Sequence, residues 1–188
     1  MNNLLETIRC VNGKVLYLEY HQDRLNKSRK KLGFKNKLNL EIDAPNKGLY
    51  RCRIVYNEFI EKIEFIPYVK KNILSFKLIN SDIDYSLKYE NRDKINKLLE
   101  LKENADEIII IKDGLVTDTS IANICFFDGT DWITPKAPLL KGTTRQRYLD
   151  NCKIKEADIR VEDIQKYSKI ALLNAMIDFD ITENAIIS

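Results

Sequence analysis

ADEIIIIKDGLVTDTSIAN, from Ala105 to Asn123, is the stretch around which the chain is organised. Ile108 to Ile111 is an unbroken β-branched run, which reads as a strand buried on both faces. Asp113-Gly114 follows, a tight-turn dipeptide between apolar residues, so the chain reverses there. The returning strand brings a lone acid, Asp118, back beside a core. A buried carboxylate is costly without a partner. Asp118 therefore caps the turn, faces water, or serves something that shares its burial.

Bulk properties narrow the classes. The 188 residues, 44% hydrophobic and 31% charged, can build a sizeable core as one domain or two small halves. The net charge of +3 is spread along the chain and makes no demand for nucleic acid or an acidic membrane. No apolar run approaches the roughly 20 residues of a membrane span. The opening MNNLLETIRC lacks the apolar centre of a signal peptide. Cys10, Cys52, Cys125 and Cys152 are widely spaced and form no CxxC pair. They read as reduced thiols in a cytoplasmic protein, not as a disulfide frame or zinc site. A single histidine, His21, excludes a multi-histidine metal centre.

Working outward, Asn12-Gly13 between two apolar segments predicts a hairpin. A helix is expected from Glu19, with Tyr20, Leu25, Ser28 and Leu32 on one stripe, closed by Gly33. Residues 34–49 read as a loop with room for one short strand. Tyr50 to Tyr56 and Phe59 to Pro67 alternate around Asn57-Glu58, a second hairpin. Asn72 to Asn80 is a further strand. The first ~80 residues thus read as an antiparallel meander with one helix inserted. Beyond them come a helix from Asp93 to about Asn104 and the opening stretch. Its second strand is expected to continue through Ile124 to Phe127. A helix over Arg145 to Asn151 follows the Gly142-Thr143-Thr144 cap. The tail reads as strands and one short helix. This order argues an α+β fold in two lobes, 1–82 and 83–188, meeting near residues 80–90.

Four polar features stand out. Lys88, in SLKYENR, is a surface charge or a nucleophile. Asp118 has the alternatives given above. Gly142-Thr143-Thr144 either caps a helix or offers N–H groups and hydroxyls to a phosphate. Arg24, in EYHQDRL, makes a salt bridge, faces water, or binds an anion. Together they are the parts list for pyridoxal 5'-phosphate: a lysine for the Schiff base, an acid to keep the pyridine nitrogen protonated, and a phosphate cup. His21 reads as a structural contact beside Arg24. Arg145 could reach the phosphate or a partner subunit.

The same residues carry a resemblance to the class IV aminotransferases, the fold-type IV pyridoxal-phosphate enzymes. It runs from about Leu4 to Ile181. LLETIRCVNGKVLYLEYHQDRL resembles the family's opening and puts Arg24 at its phosphate-binding arginine. SLKYENR resembles the lysine motif, with Lys88 as the Schiff-base lysine. ADEIIIIKDGLVTDTSIANICFF resembles the strand pair of the pyridine-nitrogen acid, here Asp118. LLKGTTRQRYLD resembles the phosphate cup, Gly142, Thr143 and Thr144. LLNAMIDF resembles the last motif and puts Asn174, Ala175 and Met176 on the substrate side.

Two departures accompany the resemblance. Aspartate stands where the family usually has glutamate, one methylene longer. Family members also begin with a further strand pair that helps wall the site, so a minimal substrate wall is implied. The Asn174-Ala175-Met176 motif and the spacing of SLKYENR resemble the family's lyase branch. They imply elimination of pyruvate from 4-amino-4-deoxychorismate to give p-aminobenzoate for folate. Transamination of an amino acid, or a degenerate non-catalytic member, are the alternatives. The resemblance further implies a homodimer acting on a small amino substrate.

Overall fold

The computed structural model of the protein describes residues 2–188. The fold is α+β, with three sheets and three α-helices among the described residues. The chain divides into two compact units. One contains residues up to Lys70 together with Leu87–Asn91; the other contains Lys71–Ser86 and Arg92–Ser188.

In the first unit, β1 (Leu4–Val11) turns through Asn12 and Gly13 into β2 (Lys14–Val15). Both turn residues have positive φ, 48° and 78°, the pairing a two-residue hairpin requires. Helix α1 (Leu18–Lys31) follows. Then β3 (Leu49–Tyr56) and β4 (Ile60–Pro67) complete an antiparallel sheet in the order β2-β1-β3-β4. Alternate residues of β1 and β3, including Leu4, Ile8, Cys52, Ile54 and Tyr56, form the buried core with Leu25 of α1. The expected helix stripe is only partly buried. Leu25 and Ser28 are inside, whereas Leu32 is exposed. Arg29, in the basic last turn of α1, is buried and donates to the carbonyls of Asn36, Asn57 and Glu58. Residues 34–48 contain no strand. The returning segment Leu87–Asn91 lies along β1, with Leu5 N–H donating to the Lys88 carbonyl at 2.8 Å and Glu90 N–H to that of Asn3 at 2.9 Å.

The second unit departs from the expected meander. Strand β5 (Ser75–Asn80) does not extend the first sheet. It runs parallel to β6 (Glu107–Lys112), and the connection carries α2 (Asp93–Leu99) and a single 3₁₀ turn. The division expected between residues 82 and 83 shifts accordingly. Ladder partners, not chain order, decide membership. A fully buried isoleucine strand needs a neighbour on each edge, and β6 has β5 on one and β7 (Leu115–Thr119) on the other. One face of β6 (Ile109, Ile111) packs with Phe76, Phe126 and Leu172. The other (Ile108, Ile110) packs with Ile95 of α2 and Tyr85.

The strand through Asp118 is also not continuous. After Thr119 the chain turns and enters a different sheet as β8 (Asn123–Phe127). There follow β9 (Trp132–Pro135), α3 (Thr143–Asp150) and β10 (Lys155–Ala157). Next are β11 (Lys169–Asn174), β12 (Asp178–Glu183) and β13 (Ile186–Ile187). Strand order in this sheet is β10-β9-β8-β11-β12, and β13 returns to the edge of β5. All four cysteines are free thiols, three buried and Cys152 exposed. Among the described residues no helix is long and apolar enough to cross a membrane.

Candidate active site

The predicted site residues fall in both units. In the second, the β7–β8 turn carries Asp118 on one side and Asn123 on the other. Asp118 is buried, and its carboxylate is held by two neutral donors. Asn123 Nδ2 reaches Oδ1 at 2.6 Å and Leu140 N–H reaches Oδ2 at 2.8 Å. Burial dominates its titration and pushes its pKa from 3.8 up to about 7. The Asn123 amide also donates to the Leu140 carbonyl at 2.8 Å, stitching the 138–142 loop to the strand.

That loop feeds α3. Gly142 is its N-cap, in extended conformation, and no side chain caps the helix. Thr143 and Thr144 are buried in its first turn. The result is an uncapped helix N-terminus with two hydroxyls in its first turn, which favours an anion. Arg145 does not join it. Its guanidinium is turned inward onto Thr134 Oγ1, the Pro135 carbonyl and Glu156. Asn174, at the end of β11, uses its Oδ1 to accept the N–H groups of Met176 and Ile177. Its Nδ2 reaches the Ile121 carbonyl at 3.3 Å. The Asn174-Ala175-Met176 segment is thereby tied to the turn that follows Asp118.

In the first unit, Arg24 is engaged by Glu6 of β1. Nε donates to Oε1 at 2.8 Å and Nη2 to Oε2 at 2.5 Å. His21 Nδ1 lies 2.7 Å from the same carboxylate. Burial alone would raise the Glu6 pKa, but the Arg24 charge and the hydrogen bonds from His21 and Arg24 bring it down to about 2. An ionised carboxylate only accepts, so His21 donates from Nδ1. Burial lowers the His21 pKa, keeping the ring neutral at pH 7, and the nearby charges of Arg24 and Lys88 act in the same direction. Lys88 itself is half-buried, and its carbonyl is fixed by Leu5 N–H.

The Glu6 cluster makes an expected acid sensitivity. The folded Glu6 pKa lies below its ordinary value of 4.5. Its contribution is complete above that value and disappears as pH falls toward 2. The depressed His21 pKa has the same sign. Glu6→Ala, which strands the Arg24 cation, should lower stability by about 3–5 kcal/mol at pH 7. Denaturant unfolding between pH 7 and pH 3 checks both: the variant's stability should depend less on pH than the parent's.

The sequence profile of the family Amino-transferase class IV matches residues 86–180, just over half of the chain. The chain is 40% identical to a candidate 4-amino-4-deoxychorismate lyase of Haemophilus somnus 129pt with a known crystal structure. That match has a TM-score of 0.83 and covers 94% of this chain and 97% of that one. The protein belongs to the class IV aminotransferases.

Membership makes it an enzyme of the family's lyase or aminotransferase type. It is also 39% identical to an uncharacterised protein of Haemophilus influenzae, over 94% of this chain and 98% of the relative. A hypothetical aminotransferase from Mycobacterium tuberculosis in its PLP-bound form shares the fold, with a TM-score of 0.79 at 16% identity. That match covers 100% of this chain and 81% of that one.

Reading the sequence for site residues passed over Glu6 and Asn123. Each lies inside a motif that carries the family resemblance, Glu6 in LLETIR and Asn123 in TSIANICFF. The available signals were an acid on the same alternate face as Leu4, Ile8 and Cys10, and a polar residue opening the apolar run Ile124 to Phe127.

Proposed function

We propose that this family member is a pyridoxal 5'-phosphate enzyme that eliminates pyruvate from 4-amino-4-deoxychorismate, leaving p-aminobenzoate. The observation that carries the cofactor is Asp118: a buried carboxylate whose two oxygens are met by neutral N–H groups. A carboxylate retains further lone pairs, and a cationic ring N–H supplies the charge that its burial lacks. The uncapped α3 N-terminus with Thr143 and Thr144 suits the phosphate at the other end of such a ligand. The residues present therefore fit the group.

When bound, the cofactor supplies an electron sink. Lys88 would be the covalent anchor of the cofactor and the residue that moves a proton at the adjacent substrate carbon. Asp118 keeps the ring nitrogen protonated through a charge-assisted hydrogen bond. Gly142, Thr143 and Thr144 would receive the phosphate, and Arg24 is the arginine that the family resemblance assigns to the same group. The Glu6 carboxylate offsets the Arg24 charge, so that arginine would contribute directed N–H donors more than net charge. Asn174, Ala175 and Met176 border the substrate. The choice of the lyase reaction is supported by the likeness to the H. somnus protein. Assembly as a cytoplasmic homodimer is part of the same proposal.

Purified protein incubated with 4-amino-4-deoxychorismate should release p-aminobenzoate and pyruvate in equal amounts. Amino transfer to 2-oxoglutarate without pyruvate would replace the lyase by an aminotransferase. A colourless protein that added pyridoxal phosphate cannot turn yellow would overturn the cofactor assignment.

A further inference from the structure

Residues 120–122 connect Asp118 and Thr119 to Asn123, between strands of different sheets. Such connections are ordinarily the mobile parts of a domain. Here the backbone is tied at each step. Ser120 donates its N–H and hydroxyl to the Glu107 carboxylate at 3.3 and 2.9 Å. Its carbonyl accepts from Arg92 Nη2 at 2.8 Å. Ile121 gives its carbonyl to Asn174, and Thr119 Oγ1 bridges the N–H and carbonyl of Ala122. Glu107 is 3% exposed, and burial pushes its pKa upward. Its other donor is its neighbour's N–H, Ile108, at 2.8 Å. An apolar residue would fill that space without the desolvation cost. What an acid and an arginine add, one on each side of Ser120, is a fixed backbone position.

We propose that Glu107 and Arg92 are positioning residues that clamp Ser120 and thereby set where Asp118 and Asn123 point. The inference rests on Asp118 as the acid at the cofactor's ring nitrogen. Neither residue touches the reacting atoms. Both act through the turn, and a displacement of about 1 Å at such a group is enough for a large loss of function.

The test uses Glu107→Gln, Glu107→Ala, Arg92→Met and the double variant Glu107→Ala/Arg92→Met. Glutamine can keep the clamp, because its carbonyl accepts the N–H groups while its amide faces the Ser120 hydroxyl, which turns to accept. Two readouts are taken: the titration midpoint of the Asp118 carboxyl by ¹³C NMR without cofactor, and the affinity for pyridoxal phosphate. Glu107→Ala and Arg92→Met should each lower the midpoint by about one unit or more as water enters. Each should weaken cofactor binding about tenfold or more. The double variant should add little to either single one, because both changes release the same residue. Glu107→Gln should stay near the parent. If Glu107→Ala does not fold, Ser120→Ala, which deletes one bond, replaces it and should show a smaller shift in the same direction. A lowered melting temperature with midpoint and affinity unchanged would reduce the clamp to ordinary structure and overturn the proposal. A parent protein that binds no pyridoxal phosphate would instead sink the cofactor assignment, with the Asp118 midpoint alone then deciding the clamp.

Discussion

Gly142→Ala should disable the proposed cofactor-binding side of the second unit while leaving most secondary structure in place. The backbone at Gly142, φ −72° and ψ 145°, is open to any residue. Glycine is required there by space. An added Cβ would stand 2.0 Å from Asn123 Oδ1 and 3.1 Å from Asn123 Cγ. Asn123 cannot step aside cheaply, because its amide nitrogen is bonded to both Asp118 and the Leu140 carbonyl. Either the amide rotates and Asp118 loses a donor, or the loop swings out and takes the start of α3 with it. Overpacking costs about 1–3 kcal/mol, and a lost hydrogen bond to a buried charged group about 1.5–3 kcal/mol. A total loss of roughly 2.5–6 kcal/mol is expected by denaturant unfolding. Yellow colour on adding cofactor should be lost or greatly weakened. Gly142→Ala combined with Asn123→Ala reopens the space. It should recover part of the stability without recovering the cofactor, since Asp118 then lacks its partner. Unchanged stability and colour in the single variant would mean that the 138–142 loop is not held as described.

The second large effect is expected from Lys88→Ala. The side chain is half-buried, and the main chain at this position is held by Leu5 N–H. Truncation therefore leaves the β1 pairing in place, and far-ultraviolet circular dichroism should match the parent. Covalent attachment of the cofactor should disappear with its visible absorbance. Turnover should fall by at least about 10³-fold, since in the proposed function Lys88 is both covalent anchor and proton carrier. Retention of the covalent visible band would mean that another lysine carries the cofactor.

Much of the fold was legible in local patterns. Asn12-Gly13 and Asp113-Gly114 reverse the chain where their dipeptides predict, all four residues at positive φ. The isoleucine run forms β6, buried on both faces. Pairing was less legible. NILSFKLIN alternates like a strand, but nothing in nine residues says whether it joins the sheet before it or the strand after the next helix. Likewise, the small residues after Thr119 do not announce that the chain changes sheets there. Side-chain partnerships were the least visible. Arg24 read as a salt bridge, a solvated charge or an anion ligand, and its pairing with Glu6 depends on β1 and α1 packing together.

By itself, the sequence determined the turns, the strand periods and the family, because dihedral preference, side-chain alternation and ordered motifs all reside in short stretches of chain. Tertiary structure alone decided that Asp118 is buried between Asn123 and Leu140, that Gly142 is glycine to make room for Asn123, and that Glu6 neutralises Arg24. Each of these depends on contacts between different elements of the fold. Their energy comes from desolvation and close packing, which exist only once the elements have met.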